Sequence, residues 1–201
     1  MKVTTDSCLF GAWVAEQLQR DPSTPKQLLD IGAGTGLLSL MIAQKFPVFD
    51  IAAIEIDQPA AEQASENILR CPWAAKVRVF NTNIKKIEGD RWFDCIVSNP
   101  PFYEQDLTSP HDQKNQAHHD ATLPFRELIE QLDRLLSENG KFYLLLPAKG
   151  IEARIEALQA HGLFIQTRSS VHHDSEHPMM RILLEGKRSR TEQMTSEQIN
   201  I

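Results

Sequence analysis

The chain has 201 residues, 41% of them apolar, which suits one compact domain with a sizeable core. Its net charge of −6 is the wrong sign for a general nucleic-acid coat, although a local basic patch is compatible with it. No apolar run approaches bilayer length, and the opening Met1-Lys2-Val3-Thr4-Thr5-Asp6 lacks the basic and apolar regions of a secretory signal.

Apolar runs of strand length alternate with segments of helical period, which predicts βαβ units and a parallel sheet buried on both faces. A first helix is predicted over Asp6 to Leu18, with Leu9, Phe10, Trp13, Val14 and Leu18 at helical spacing and Thr5 or Asp6 as its cap. Pro22 and Pro25 mark a loop before a strand at Gln27 to Ile31, and a helix follows from Gly36 to Lys45. The second strand is Asp50 to Ile56, and the next helix runs from Pro59, a favourable first-turn position, to Leu69. Strands are predicted at Lys76 to Phe80 and Phe93 to Val97, followed by a long polar loop from Pro101 to Leu123. A helix from Pro124 to Leu136 is expected to stop near Asn139-Gly140, with a fifth strand at Lys141 to Leu146. Ile151 to Ala160 reads as a helix stopped by Gly162. Leu163 to Val171 and Met179 to Glu185 flank a His-rich turn and read as a hairpin. Residues 1–186 therefore read as one domain, with 1–20 as its N-terminal helix and 187–201 as a polar, frayed tail. The three cysteines, Cys8, Cys71 and Cys95, are scattered, and Cys95 reads as buried packing, which fits a reduced cytoplasmic protein.

Asp30-Ile31-Gly32-Ala33-Gly34-Thr35-Gly36 follows the first strand and opens a helix. Glycines there let the backbone turn tightly and approach a ligand closely, with helix amides nearby as donors. A dinucleotide site wants G-x-G-x-x-G, but position 37 is leucine and the third glycine comes one residue early. A phosphate-binding loop wants a lysine that this segment lacks. Glu55, at the end of the second strand, lies about twenty positions after Gly34, where a carboxylate can accept both ribose hydroxyls of an adenosine. Asn83, just past the third strand, reads either as a contact to an adenine edge or as an ordinary turn asparagine.

On these residues the chain resembles the class I S-adenosylmethionine-dependent methyltransferases along nearly its whole length. The resemblance implies a Rossmann-like α/β fold: a seven-stranded, mostly parallel sheet whose last strand is antiparallel, helices on both faces, and cofactor across the strands' carboxyl ends. Asp30, Gly32, Gly34, Gly36, Glu55, Ile56 and Asn83 match the class's cofactor positions, although many members carry aspartate where Asn83 stands. S-adenosyl-L-methionine is the cofactor it implies, with S-adenosyl-L-homocysteine as product.

The fourth strand leads into Ser98-Asn99-Pro100-Pro101-Phe102-Tyr103, and two successive prolines end it there. An exocyclic adenine amine is a poor nucleophile because its lone pair is delocalised into the ring. The Asn99 side-chain carbonyl and the Pro100 backbone carbonyl can accept its two hydrogens and favour a pyramidal nitrogen. The rate then comes from alignment and electrostatic complementarity, without a covalent enzyme intermediate or a metal. Phe102 can stack on the base, an interaction worth roughly 1–3 kcal/mol.

Asn-Pro-Pro-[aromatic] resembles the signature of amino-methyltransferases acting on planar nitrogens: adenine N6, guanine N2 and glutamine amide. Met1-Lys2-Val3-Thr4-Thr5-Asp6, Leu9 to Trp13, the Asp30 to Leu40 segment, Asn67 to Trp73 and Ser98 to Tyr103 are together similar to the bacterial tRNA-valine (adenine 37-N6)-methyltransferases. That resemblance implies catalytic Asn99, Pro100, Pro101 and Phe102, substrate contacts from Phe102 and Tyr103, and a tRNA anticodon loop as partner. Members carry an aromatic and basic segment ahead of the position of Met1 and more chain beyond Ile201, so the sequence reads as truncated. Glutamine methylation of release factors is the alternative, but that family has an additional N-terminal helical domain; guanine-N2 methylation of RNA ranks third. A non-catalytic binding module is disfavoured because it needs no cofactor loop beside an Asn99 motif. An exposed anticodon base suits such a pocket, because single-stranded bases splay out at modest cost.

Lys85, Lys86, Arg168, Lys187, Arg188 and Arg190 are the candidate phosphate contacts, each more often a solvated charge. His118-His119-Asp120 and His172-His173 with His177 match no zinc spacing, so no metal is expected. The loop holding His118-His119 reads as a lid on the site. No membrane contact is expected, and a monomer is assumed.

Overall fold

Consecutive residues of a strand point to opposite faces of its sheet, so runs such as Leu28-Leu29 and Leu144-Leu145 demand a packed layer on each side. The computed structural model, which describes residues 4–20, 27–100, 123–172, 180–190 and 193–200, supplies both layers. In chain order the elements are α1 (Thr5–Arg20), β1 (Gln27–Ile31), α2 (Leu37–Lys45), β2 (Asp50–Glu55), α3 (Gln58–Leu69), β3 (Val77–Asn81) and β4 (Phe93–Ser98). Then come α4 (Phe125–Leu135), β5 (Leu136–Pro147), α5 (Ile151–Ala160), β6 (Phe164–His172), β7 (Arg181–Lys187) and β8 (Thr195–Asn200).

The strands form one sheet in the order β3-β2-β1-β4-β5-β7-β6-β8. β7 runs antiparallel to both β5 and β6, while the other pairings are parallel. On one face Leu28, Cys95, Val97 and Leu145 pack with Phe10, Trp13 and Val14 of α1 and Leu38 and Ile42 of α2. On the other, Leu29, Ile96, Leu144 and Leu146 pack with Leu128, Ile129, Leu132 and Leu135 of α4 and Ile155 and Leu158 of α5. The expected mostly parallel sheet with helices on both faces and a β6–β7 hairpin is therefore the observed fold. Cys95 is fully buried, and that burial pushes its thiol well above the usual range. No helix among the described residues is long and apolar enough to cross a membrane.

Three local readings differ from the structure. Thr4, rather than Thr5 or Asp6, caps α1: its Oγ1 accepts the Ser7 N–H at 3.2 Å. Asn139-Gly140 does not separate a helix from a strand; it lies inside β5, which begins directly after α4. There the register against β4 shifts between Phe93 and Cys95, and Gly140 sits where a Cβ would lie 3.0 Å from the Phe93 carbonyl, so a bulge uses the glycine.

The third difference is that the sheet has eight strands rather than seven: the last, β8, is parallel to β6 and occupies part of the tail expected to be frayed, while β7 is the antiparallel one. β8 pairs with the outer edge of β6, the Ser169 hydroxyl donates to Glu197 at 2.9 Å, and Ile199 packs against the core. The chain leading to it is tied down by Arg188, which pairs with Asp133 at 2.7 Å and donates to the Asp133 and Leu136 carbonyls at the end of α4.

Candidate active site

In an open α/β sheet, ligands bind beyond the carboxyl ends of the strands where the strand order reverses. Here the order reverses between β1 and β4, which lie side by side with Ile31 opposite Ser98. The Ser98 hydroxyl donates to the Ile31 carbonyl at 2.8 Å, so the glycine loop after β1 and the Asn99-Pro100 segment after β4 start from one clamped point.

Gly32, Gly34 and Gly36 all have positive φ, at 72°, 57° and 80°, a region that side-chain-bearing residues rarely enter. The Gly32 and Ala33 N–H groups donate to the Ile54 carbonyl at 2.9 and 3.0 Å, which folds the loop back over β2. Gly32 stands at the exposed crest, and a Cβ there would meet nothing within 4 Å. Gly36 instead caps α2 against α3, where a Cβ would lie 3.3 Å from that of Ala64.

Glu55 ties the loop to its neighbour. One carboxylate oxygen accepts the Gly34 N–H at 2.8 Å and the other accepts the Asp57 N–H at 2.9 Å. Each oxygen keeps further lone-pair capacity, so the carboxylate is oriented without being saturated. Ile56 follows it as an exposed apolar residue at 40% accessibility. Asp30 lies beneath the loop, almost wholly buried, and accepts the Ser39 hydroxyl at 2.6 Å. Burial raises its pKa to about 7, with the Glu55 charge adding to the rise, while hydrogen bonds from Ser39 oppose it.

Asp30, Gly32, Gly34, Gly36, Glu55 and Ile56 thus converge on one edge, beside Asn99 and Pro100. Asn83 makes a local bond: its side-chain oxygen accepts the Lys85 N–H at 2.9 Å, capping a short 3-10 turn at 84–86. Pro101, Phe102, Tyr103, His118 and His119 lie outside the described residues, as do His173 and His177. Among the described residues no group of His, Cys, Asp and Glu could hold a metal ion.

Several contributors went unread in the sequence. Asn81 donates to the Glu55 and Ile56 carbonyls at 3.0 and 3.1 Å, and Asn67 donates to the Thr35 carbonyl at 3.0 Å. Ser7 accepts from the Asn99 side-chain amide at 2.9 Å. Asn81 stands at a strand end, which is a signal of a kind, but Asn67 lies in α3 and Ser7 in α1, and all three have partners distant in sequence. Of the basic candidates, Lys85 pairs with Glu127 at 2.6 Å, Arg168 with Glu152 at 2.7 Å, and Arg188 with Asp133.

A reversed strand order, a triple-glycine turn and an anchored acid at the end of β2 together define a class I methyltransferase. The chain belongs to the methyltransferase small domain family, whose model matches residues 11–150, and within it to the group of tRNA1(Val) (adenine(37)-N6)-methyltransferases. The protein of that name from Dyadobacter fermentans is 38% identical over 94% of this chain and 76% of its own. Its counterpart from Phocaeicola vulgatus is 38% identical over 92% of this chain and 76% of its own. Among solved structures, the 1,6-didemethyltoxoflavin-N1-methyltransferase of Burkholderia thailandensis superimposes with a TM-score of 0.67, covering 92% of this chain and 79% of its own. Its identity is 16%, so that likeness speaks for the fold alone.

Proposed function

We infer that the protein methylates N6 of adenine 37 in the anticodon loop of valine tRNA, using S-adenosylmethionine. The observation that carries this reading is the clamped junction of β1 and β4, which sets Asn99 beside the glycine loop in a chain of this family. S-adenosylmethionine, when bound, supplies an electrophilic methyl group on a sulfonium and leaves as S-adenosylhomocysteine.

The residues present fit that cofactor. The open crest at Gly32 lets a ligand approach backbone directly, and the Glu55 carboxylate is held with acceptor capacity left for ribose hydroxyls. Ile56 gives the adenine an apolar neighbour, and Asn83 keeps its amide NH2 for the ring edge. Asp30 acts from below, holding the loop through Ser39. On the substrate side, Asn99 Oδ1 and the Pro100 carbonyl accept the two hydrogens of the target amine and draw its lone pair out of the ring. This reading assigns Pro101 and Phe102 to the catalytic motif and gives the base contacts to Phe102 and Tyr103. A cytoplasmic location follows for an enzyme acting on tRNA.

The test is mass spectrometry of nucleosides from valine tRNA incubated with protein and methyl-labelled S-adenosylmethionine. Label is expected in N6-methyladenosine at position 37. Label in N2-methylguanosine, or none in the tRNA, would overturn the assignment.

Replacing Glu55 by alanine is expected to weaken cofactor binding by roughly 1–3 kcal/mol, the worth of charge-assisted hydrogen bonds. It also releases the Gly34 and Asp57 N–H groups, so loop order is lost together with the acceptor. Calorimetry showing unchanged S-adenosylmethionine affinity would remove Glu55 from the site.

A further inference from the structure

We propose that Ser7, in the first turn of α1, is a positioning residue that fixes which way the Asn99 amide faces. The inference rests on Asn99 acting as an acceptor for the target amine. A primary amide ends in an acceptor and a donor of nearly the same size, and a half-turn about the last side-chain bond exchanges them. Only one of the two orientations presents a carbonyl to the amine. The other sets NH2 against NH2 and destroys the contact. A catalytic asparagine therefore needs a partner that holds its donor end.

That partner is Ser7. Asn99 Nδ2 donates to Ser7 Oγ at 2.9 Å, across 92 residues of sequence. A hydroxyl can donate or accept, so the direction depends on where its single proton goes. Ser7 Oγ lies 2.9 Å from Thr4 Oγ1, the same oxygen that accepts the Ser7 backbone N–H at 3.2 Å. As the cap of α1, Thr4 Oγ1 is set up as an acceptor and has two lone pairs, one for each Ser7 hydrogen. Because Asn99 Nδ2 donates to it, the Ser7 oxygen is the acceptor in that pair, and its own proton can go to Thr4 Oγ1, which keeps a lone pair beside the one that takes the Ser7 N–H.

The platform is held firmly. Asp6, beside Ser7, pairs with Arg181 of β7 at 3.0 Å, and Phe10, Trp13 and Val14 anchor the same helix in the core. The Ser7 side chain is half-buried and is not a member of that core, and the Thr4 cap needs only the Ser7 backbone N–H. Its removal leaves the helix and its cap in place, so any loss of rate is not a loss of fold.

The experiment is single-turnover methylation of valine tRNA by Ser7→Ala, Ser7→Thr, Asn99→Ala and the Ser7→Ala/Asn99→Ala double variant, with melting temperature and cofactor affinity measured on each. Ser7→Ala should lower the rate about tenfold, the worth of one oriented hydrogen bond, with melting temperature and cofactor affinity near wild type. Ser7→Thr, which keeps the acceptor, should restore most of the rate. In the double variant Ser7→Ala should add no further loss, because it acts only through Asn99. A slow Asn99→Ala beside a Ser7→Ala of wild-type rate overturns the positioning role alone. Losses that multiply in the double variant, or a Ser7→Thr as slow as Ser7→Ala, also overturn it. An Asn99→Ala at wild-type rate overturns the reading of Asn99 and this inference with it.

Discussion

Asn99→Ala is expected to slow methyl transfer about 10²–10³-fold, the cost typical of removing one oriented polar group that matches charge developing in a transition state. The adenine amine gains positive character only as its lone pair leaves the ring, so an acceptor aimed at its hydrogens strengthens as the reaction proceeds. Such an interaction appears in the chemical step more than in substrate binding. Melting temperature should barely move, since Asn99 is half-buried and its side-chain partner is one hydroxyl, Ser7. Cofactor affinity should also hold, because the loop is shaped by Gly32 to Gly36 and Glu55 rather than by the Asn99 side chain. Asn99→Asp is a sharper probe. Its carboxylate still accepts, but it adds a negative charge and has no amide N–H to give to Ser7. A folded, cofactor-binding Asn99→Ala that methylates at the wild-type rate would show the motif to be a rigid turn and nothing more.

Much of this site is legible in the sequence because its chemistry is encoded in short segments. The glycine triplet needs positive φ at closely spaced positions, and the leucine at 37 separates it from a dinucleotide loop without knowledge of the fold. Glu55 was legible because β1, α2 and β2 have ordinary lengths, which bring the end of β2 next to the loop. Long-range polar ties were not legible. Nothing local to Ser7 marks it as a partner of Asn99, and nothing local to Asn81 says that it holds the Glu55 and Ile56 carbonyls.

The same distinction explains where the fold departs from the sequence pattern. The apolar strand Gln27–Ile31 matches its sequence reading at both ends, whereas the one expected at Lys141 to Leu146 extends over Leu136–Pro147. β8 has one apolar residue among six, Ile199, and is held by backbone pairing to β6 and by bonds to Glu197, so periodicity had almost nothing to register. Asn139-Gly140 has the composition of a turn, but a bulge asks for the same small residue. The register shift against β4, and the Phe93 carbonyl 3.0 Å from where a Gly140 Cβ would stand, distinguish the two.

Asp30 should make the protein less stable as pH rises, and Asp30→Asn should remove that dependence. In the unfolded chain the carboxyl titrates near 3.8; in the fold it titrates near 7, because burial disfavours its charge and Glu55 repels it, against hydrogen bonds from Ser39. Between those values the native state holds a proton that the unfolded state has released. Unfolding then releases a proton, so raising the pH favours it. The sign is opposite to that of a carboxylate stabilised by a salt bridge. The penalty is absent below about pH 4, grows through the window and is complete above about pH 7, where it reaches at most about 4 kcal/mol. Asparagine keeps a side-chain oxygen for the Ser39 hydroxyl and carries no charge, so the variant should match wild type near pH 4 and exceed it at pH 8. Urea midpoints of both proteins across that range isolate the effect, since every other titrating group contributes to both curves. If the two curves run parallel from pH 4 to pH 8, Asp30 is ionised in the fold throughout, and the loop rests on a charge instead of a buried acid.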